Sequence, residues 1–145
     1  MDMRELAKDR LRQYAAKAAA RENLADEIRE LEYRRQSLSS AISQVPGGKS
    51  EPGGREAMLV SCIQRQTELE EALYLTRRWL GRMDRGLGIL SQEERVVLDR
   101  FYIHPEKGAA ERLVEELGLD VKTVYRWADR ALRRFTAAIW GGVEL

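Results

Sequence analysis

Cysteine and histidine occur once each in this 145-residue chain, as Cys62 and His104. A single thiol excludes an intrachain disulfide, and one Cys with one His cannot complete a zinc site of the usual four-ligand kind. A triad of nucleophile, histidine and acid would have to be built on His104, which stands beside Pro105 and reads as a loop residue. Proline is almost as scarce, at Pro46, Pro52 and Pro105, so long segments run without a helix breaker. No apolar run is long enough to span a bilayer, and the N-terminus lacks a signal-type apolar stretch, which points to a cytoplasmic protein away from membranes. Alternating β-branched segments are missing too, which removes the sheet classes. No catalytic constellation, cofactor or metal is expected.

What fills the chain is charge and helix formers. Asp, Glu, Lys and Arg make up 34% of the residues, and their signs nearly cancel to a formal +1. Abundant Ala, Leu, Glu and Arg favour helix, so an all-α fold is expected. The cancellation is uneven. Residues 121–140 carry Lys122, Arg126, Arg130, Arg133 and Arg134 against the single acid Asp129, while acids outnumber bases in the rest of 91–145. A concentrated cationic element matters more to a polyanion than the overall charge does.

Segment 45–54, "VPGGKSEPGG", holds four glycines and two prolines and separates two long helical arms. The second arm repeats Leu59, Cys62, Gln66, Leu69, Leu73, Thr76, Leu80, Met83, Leu87 and Leu90 at 3-4 spacing. The first offers Leu24, Ile28, Leu31, Leu38 and Ile42, with Arg35 interrupting. Stripes this narrow are coiled-coil seams. The expected arrangement is an antiparallel hairpin over residues 1–88, pairing Ile42 with Leu59, Leu31 with Leu69, Ile28 with Leu73, and Leu11 with Leu87 or Leu90. Arg35 would face Gln66, and the turn would centre near Ser50. A two-helix hairpin has little core of its own, so self-association through it is expected. Gly81, Gly86 and Gly88 weaken the second arm and place the junction with a smaller domain, residues 89–145, at 86–88, with a bend expected there.

That domain opens with Ser91 and Glu94 as a capping box; Val97, Leu98, Phe101 and Tyr102 form the buried face of its first helix, and Pro105 stops it. A second helix over 109–117 buries Leu113, Val114 and Leu117, and Gly118 ends it in the left-handed region. Leu119 tucks inward and Asp120 caps a third helix. The order helix, tight glycine turn, helix is that of a helix-turn-helix. At 100° per residue, Val124, Trp127, Ala128, Ala131, Phe135 and Ile139 share one side of the third helix. Lys122, Arg126, Asp129, Arg130 and Arg133 share the other, and Arg134 falls nearer the apolar edge. Helices of this kind touch base edges with their N-terminal residues, here Lys122, Thr123 and Arg126 with Tyr125 beside them. Arg130, Arg133 and Arg134 are spaced to meet phosphates.

"LSQEERVVLDRFY" followed by "RLVEELGLDVKTVYRWADRALRRF" resembles region four of bacterial sigma factors. It is similar, more specifically, to prophage-encoded late-gene transcription regulators of the ArpU and RinA type. The resemblance covers residues 90–135. It is carried by Leu90 and Ser91 with Glu94, Arg95, Val97 and Leu98, then Leu117, Gly118, Thr123, Val124, Ala131, Leu132 and Arg133. It implies DNA contacts from Val121, Lys122, Tyr125 and Arg126, a docking surface for RNA polymerase, and work beside the nucleoid of a bacterial host. Val114 stands where such modules carry a small residue, "HPEKG" adds about two residues, and Val121 and Lys122 replace the usual base-reading side chains. Promoter preference is therefore not carried over. No stretch resembles the promoter-melting region, so an accessory regulator is implied rather than a complete sigma factor.

Two other readings fit the same pattern: a DNA-packaging subunit of the small-terminase kind, and a sigma-like module that docks protein without strong DNA binding. Other features read plainly. "GGKS" at 47–50 lacks the first glycine and preceding strand of a phosphate loop. Cys62 fills the seam, Trp79 and Trp140 are packing residues, and the acid pairs Glu93 with Glu94 and Glu115 with Glu116 lie on solvated helix faces.

Overall fold

The structure, a computed structural model, describes residues 2–44 and 54–141. Among the described residues it is all-helical, with α1 at Met3–Ser43, α2 at Arg55–Gly88, α3 at Gln92–Leu98, α4 at Ala109–Leu117 and α5 at Val121–Trp140. A π-helical turn, Asp99–Ile103, follows α3. Residues 45–53 of the glycine-rich segment, with the turn centre near Ser50 and the "GGKS" stretch, lie outside the described residues. No helix among those described is long and apolar enough to cross a membrane.

The long first helix packs against the second in antiparallel sense. Side-chain contacts pair Gln66 with Glu32 and Tyr14 with Asp84, so paired numbers sum close to the value the two seams require. The polar layer differs in one respect from expectation. Gln66 Nε2 donates to Glu32 Oε1 at 3.3 Å and to Glu70 Oε1 at 3.0 Å, and no hydrogen bond joins it to Arg35. Both bonds use the amide N–H groups, with the Glu32 and Glu70 carboxylates as acceptors. Arg35 instead lines a groove with Leu59 and Ile63.

The glycines of the second arm do not interrupt it before Gly88. α2 is continuous to Gly88, and Gly86 has a packing role. A Cβ there would stand 2.7 Å from Ile139 Cδ1 and 3.0 Å from Phe135 Cε1, so its bare backbone lets α5 approach α2 closely.

The chain forms two compact units, one made of Met1–Ala18 with Arg78–Leu145 and the other of Ala19–Arg77. Both long helices are thus divided between units, and a chain-order division into 1–88 and 89–145 does not coincide with them. In the first unit one apolar cluster joins Ala7, Leu11, Met83, Leu90, Leu98, Ile103, Leu132 and Phe135. A second joins Val97, Ala110, Leu113, Val124 and Ala128. The π turn serves both: Phe101 packs on the second cluster while Tyr102 and Ile103 pack on the first. Its wider winding, closed by the His104 N–H donating to the Asp99 carbonyl at 2.7 Å, replaces the regular α-helical ending that the sequence suggests before Pro105. In the second unit, the buried side chains are Ile28, Cys62, Gln66 and Leu73.

Candidate nucleic-acid interface

The interface candidate is the first half of α5, and its position is set by local devices on either side. Gly118 ends α4 with φ 67°, its N–H donating to the Val114 carbonyl. A left-handed residue at this point costs little only for glycine. The chain then reverses through Leu119, half-buried against the second cluster, and Asp120 caps α5 by accepting from the Thr123 N–H at 2.7 Å. That hydrogen bonding from Thr123, side chain and backbone, holds the Asp120 carboxyl below its ordinary value, and the nearby Arg126 charge adds to the effect.

α4 is fixed by a ring of ion pairs. Arg100 holds Glu106 at 2.8 Å and Glu116 at 2.9 Å, and Arg112 holds Glu106 at 2.9 Å. The π turn, the 104–108 loop and both ends of α4 are tied together, which steadies the turn that presents α5.

α5 is sharply two-sided. Val124, Ala128, Ala131, Leu132, Phe135 and Thr136 are buried, while Val121, Lys122, Tyr125, Arg126, Asp129, Arg130, Arg133 and Arg134 are exposed and Thr123 half-exposed. Leu132 and Thr136 join the apolar side, the Thr136 hydroxyl donating to the Leu132 carbonyl at 2.6 Å, which satisfies it without a distant partner. Tyr125 keeps 56% of its surface exposed while its ring stacks on Phe101 at 5.8 Å.

The five basic residues fall into two groups. Lys122 and Arg126 form no ion pair among the described residues, and both stand on the exposed first turns. The other three are engaged with carboxylates. Arg133 lies 3.3 Å from Asp129, which also holds Arg4 at 3.0 Å. Arg134 pairs with Glu94, and its second amino group donates to the Ile89 carbonyl at 3.0 Å. Arg130 approaches the other Glu94 oxygen at 3.8 Å and covers the Trp127 ring.

Glu94 is the residue that sequence reasoning placed on a solvated face. It is 1% exposed and does two jobs. Oε1 accepts from the Ser91 N–H at 3.1 Å while the Glu94 N–H donates to Ser91 Oγ at 3.2 Å, completing the capping box. The same carboxylate receives Arg134 across forty positions of sequence. The capping motif was visible in the sequence; the long-range arginine was not.

Comparison of the chain with family models, with curated proteins and with solved structures returns no match.

Proposed function

We propose that the chain binds duplex DNA sequence-specifically, with α4, the turn at 118–120 and α5 acting as a helix-turn-helix whose second helix enters the major groove. The observation that carries this reading is the pairing pattern along α5. Lys122 and Arg126 stand unpaired and outward on the first turns, where base edges are read. Val121, Thr123 and Tyr125 surround them with apolar and hydroxyl groups suited to thymine methyls and phosphates. Arg130, Arg133 and Arg134 are half-neutralised by acids and serve at the flank, near the phosphate backbone. The resemblance of residues 90–135 to sigma region four supports a role in transcription, as a phage or prophage late-gene regulator working in the bacterial cytoplasm with RNA polymerase nearby. Self-association through the hairpin of Ala19–Arg77 completes the reading, because a two-helix unit with so few buried side chains gains most from a second copy.

The test is a binding titration on random and selected duplexes at several salt concentrations. Each phosphate neutralised should steepen the fall of log affinity with log salt by about 0.9. Arg126→Ala should cost about 1–3 kcal/mol on a selected site and relax the preference there, with little change on random duplex. A salt-independent response, or equal losses on both duplexes, rejects the groove-reading role of α5.

A further inference from the structure

Within Ala19–Arg77, α2 carries two sets of residues at 3-4 spacing. One is the seam against α1. The other, on a flank of the hairpin, is Met58, Ser61, Arg65, Glu68, Ala72 and Leu75, and its spacing of 3, 4, 3, 4, 3 reads the same in both directions. Met58 keeps 39% and Leu75 56% of its surface exposed, Ala72 is half-covered and the other three are exposed. The Met58 half of this stripe borders an open groove of about 570 Å³ with a floor of Leu31, Cys62 and Leu69 and a far wall of Glu27, Glu30 and Arg34.

We infer that this flank binds a second copy of the same chain, α2 against α2 in antiparallel sense, about a two-fold axis beside Gln66 and Thr67. A symmetric spacing is by itself only permissive; the side chains decide. Reversal about that axis sets Met58 against Leu75, Ser61 against Ala72 and Arg65 against Glu68. Each position meets its chemical complement: apolar with apolar, small with small, cation with anion. The register fixed by Gln66 and Glu32 puts the same axis beside Leu31 on α1, so Glu27 and Glu30 come near the level of Arg34 of the second copy. Glu27, Glu30, Arg34, Arg65 and Glu68 make no ion pair among the described residues, which leaves these charges for the dimer. The opposite flank, with Val60, Ile63, Thr67 and Tyr74, shows no such match, since reversal about Thr67 sets Ile63 against Glu71. An isologous interface of this kind doubles every favourable pair, and it covers the side of a hairpin that its own chain leaves open.

This inference rests on the self-association part of the reading above and specifies its surface and polarity. The test uses the full chain with Cys62→Ala, into which Met58→Cys and Leu75→Cys are introduced separately. Mixed and oxidised, the two variants should give a disulfide-linked heterodimer, whereas each alone should not, because copies of one position lie roughly 26 Å apart along an antiparallel pair. In sedimentation equilibrium Arg65→Glu should weaken the dimer at least about tenfold through like-charge contact with Glu68, and Arg65→Glu with Glu68→Arg should restore it. Cross-linking of Met58→Cys with itself overturns the antiparallel sense. A dimer that persists without the 58-to-75 link, or without charge-swap rescue, overturns this surface while leaving self-association standing. A chain that sediments as a monomer overturns both.

Discussion

In the unit formed by Met1–Ala18 and Arg78–Leu145, Leu11, Leu98, Leu113, Val124 and Phe135 are almost wholly enclosed, at 0% exposure. In Ala19–Arg77 the best-covered side chains, Ile28, Cys62, Gln66 and Leu73, each keep 5–7%. Both units are built from the same Leu, Ala, Glu and Arg helices, so residue type does not explain the difference. Direction does. α5 receives neighbours from several elements, and a residue such as Phe135 shares its cluster with Leu11 of α1, Met83 of α2 and Leu98 of α3. Two helices lying side by side cover one another along a single line and leave two flanks open. A hairpin can therefore hold register through a seam and a polar layer, yet its apolar surplus stays outside until something else covers it.

The comparison can be broken most directly by truncation. Phe135→Ala should cost about 3–5 kcal/mol and Leu73→Ala nearer 2 kcal/mol, measured by denaturant unfolding. Equal losses would mean that the hairpin is better covered in solution than one chain can cover it, and repeating Leu73→Ala across protein concentrations would show that directly.

Next in size is the contrast between arginines inside the compact unit. Arg134→Ala removes the nearest cation from the buried Glu94 carboxylate and should cost about 2–3 kcal/mol, less than for a fully enclosed pair because Arg134 is itself 46% exposed and the Ser91 N–H and Arg130 stay. Arg126→Ala should leave stability within about 0.5 kcal/mol. Affinity for DNA should rank the two in the opposite order. Should both substitutions destabilise alike, Arg126 has a structural partner and the two-group division of α5 fails.

A smaller effect separates two glycines on one helix. Gly86→Ala forces Phe135 and Ile139 to yield and should lose about 1 kcal/mol despite the better helix former. Gly81→Ala meets only the flexible end of Arg85 at 3.5 Å and should gain up to about 1 kcal/mol.

The smallest is a pH effect at the α5 cap. The Asp120 carboxyl is held below its ordinary 3.8 by its hydrogen bonds with Thr123. Its contribution is therefore present above that ordinary value and lost as pH falls through the lowered one. Melting temperature followed into acid should decline less steeply in Asp120→Asn, which keeps the cap but cannot be protonated there.

Much of this fold could be read ahead of the coordinates because its determinants are local. The box of Ser91 and Glu94, the left-handed Gly118, the Asp120 cap and the two faces of α5 each depend on residues within four positions of one another. What could not be read depends on neighbours distant in sequence. Gly86 looks like a breaker until Phe135 and Ile139 are placed against it. Gln66 could have faced Arg35 or Glu32, which lie one turn apart on the same face of α1, and only the axial register of the two helices chooses. Glu94 looks like a solvent-facing acid until Arg134 arrives from forty positions away. Arg130 and Arg134 look like free cations until the same carboxylate is placed beside them.

Glu94 caps α3 and anchors Arg134 from behind, so the rotation of α5 about its own axis is locked by groups on its inner flank. Lys122 and Arg126 take no part in that lock. They can be exchanged without disturbing the frame that carries them, as keys are recut on a common blank. On the proposed groove-reading role, target preference could be re-engineered at Val121, Lys122 and Arg126 while Val124 stays in the core and Tyr125 on Phe101.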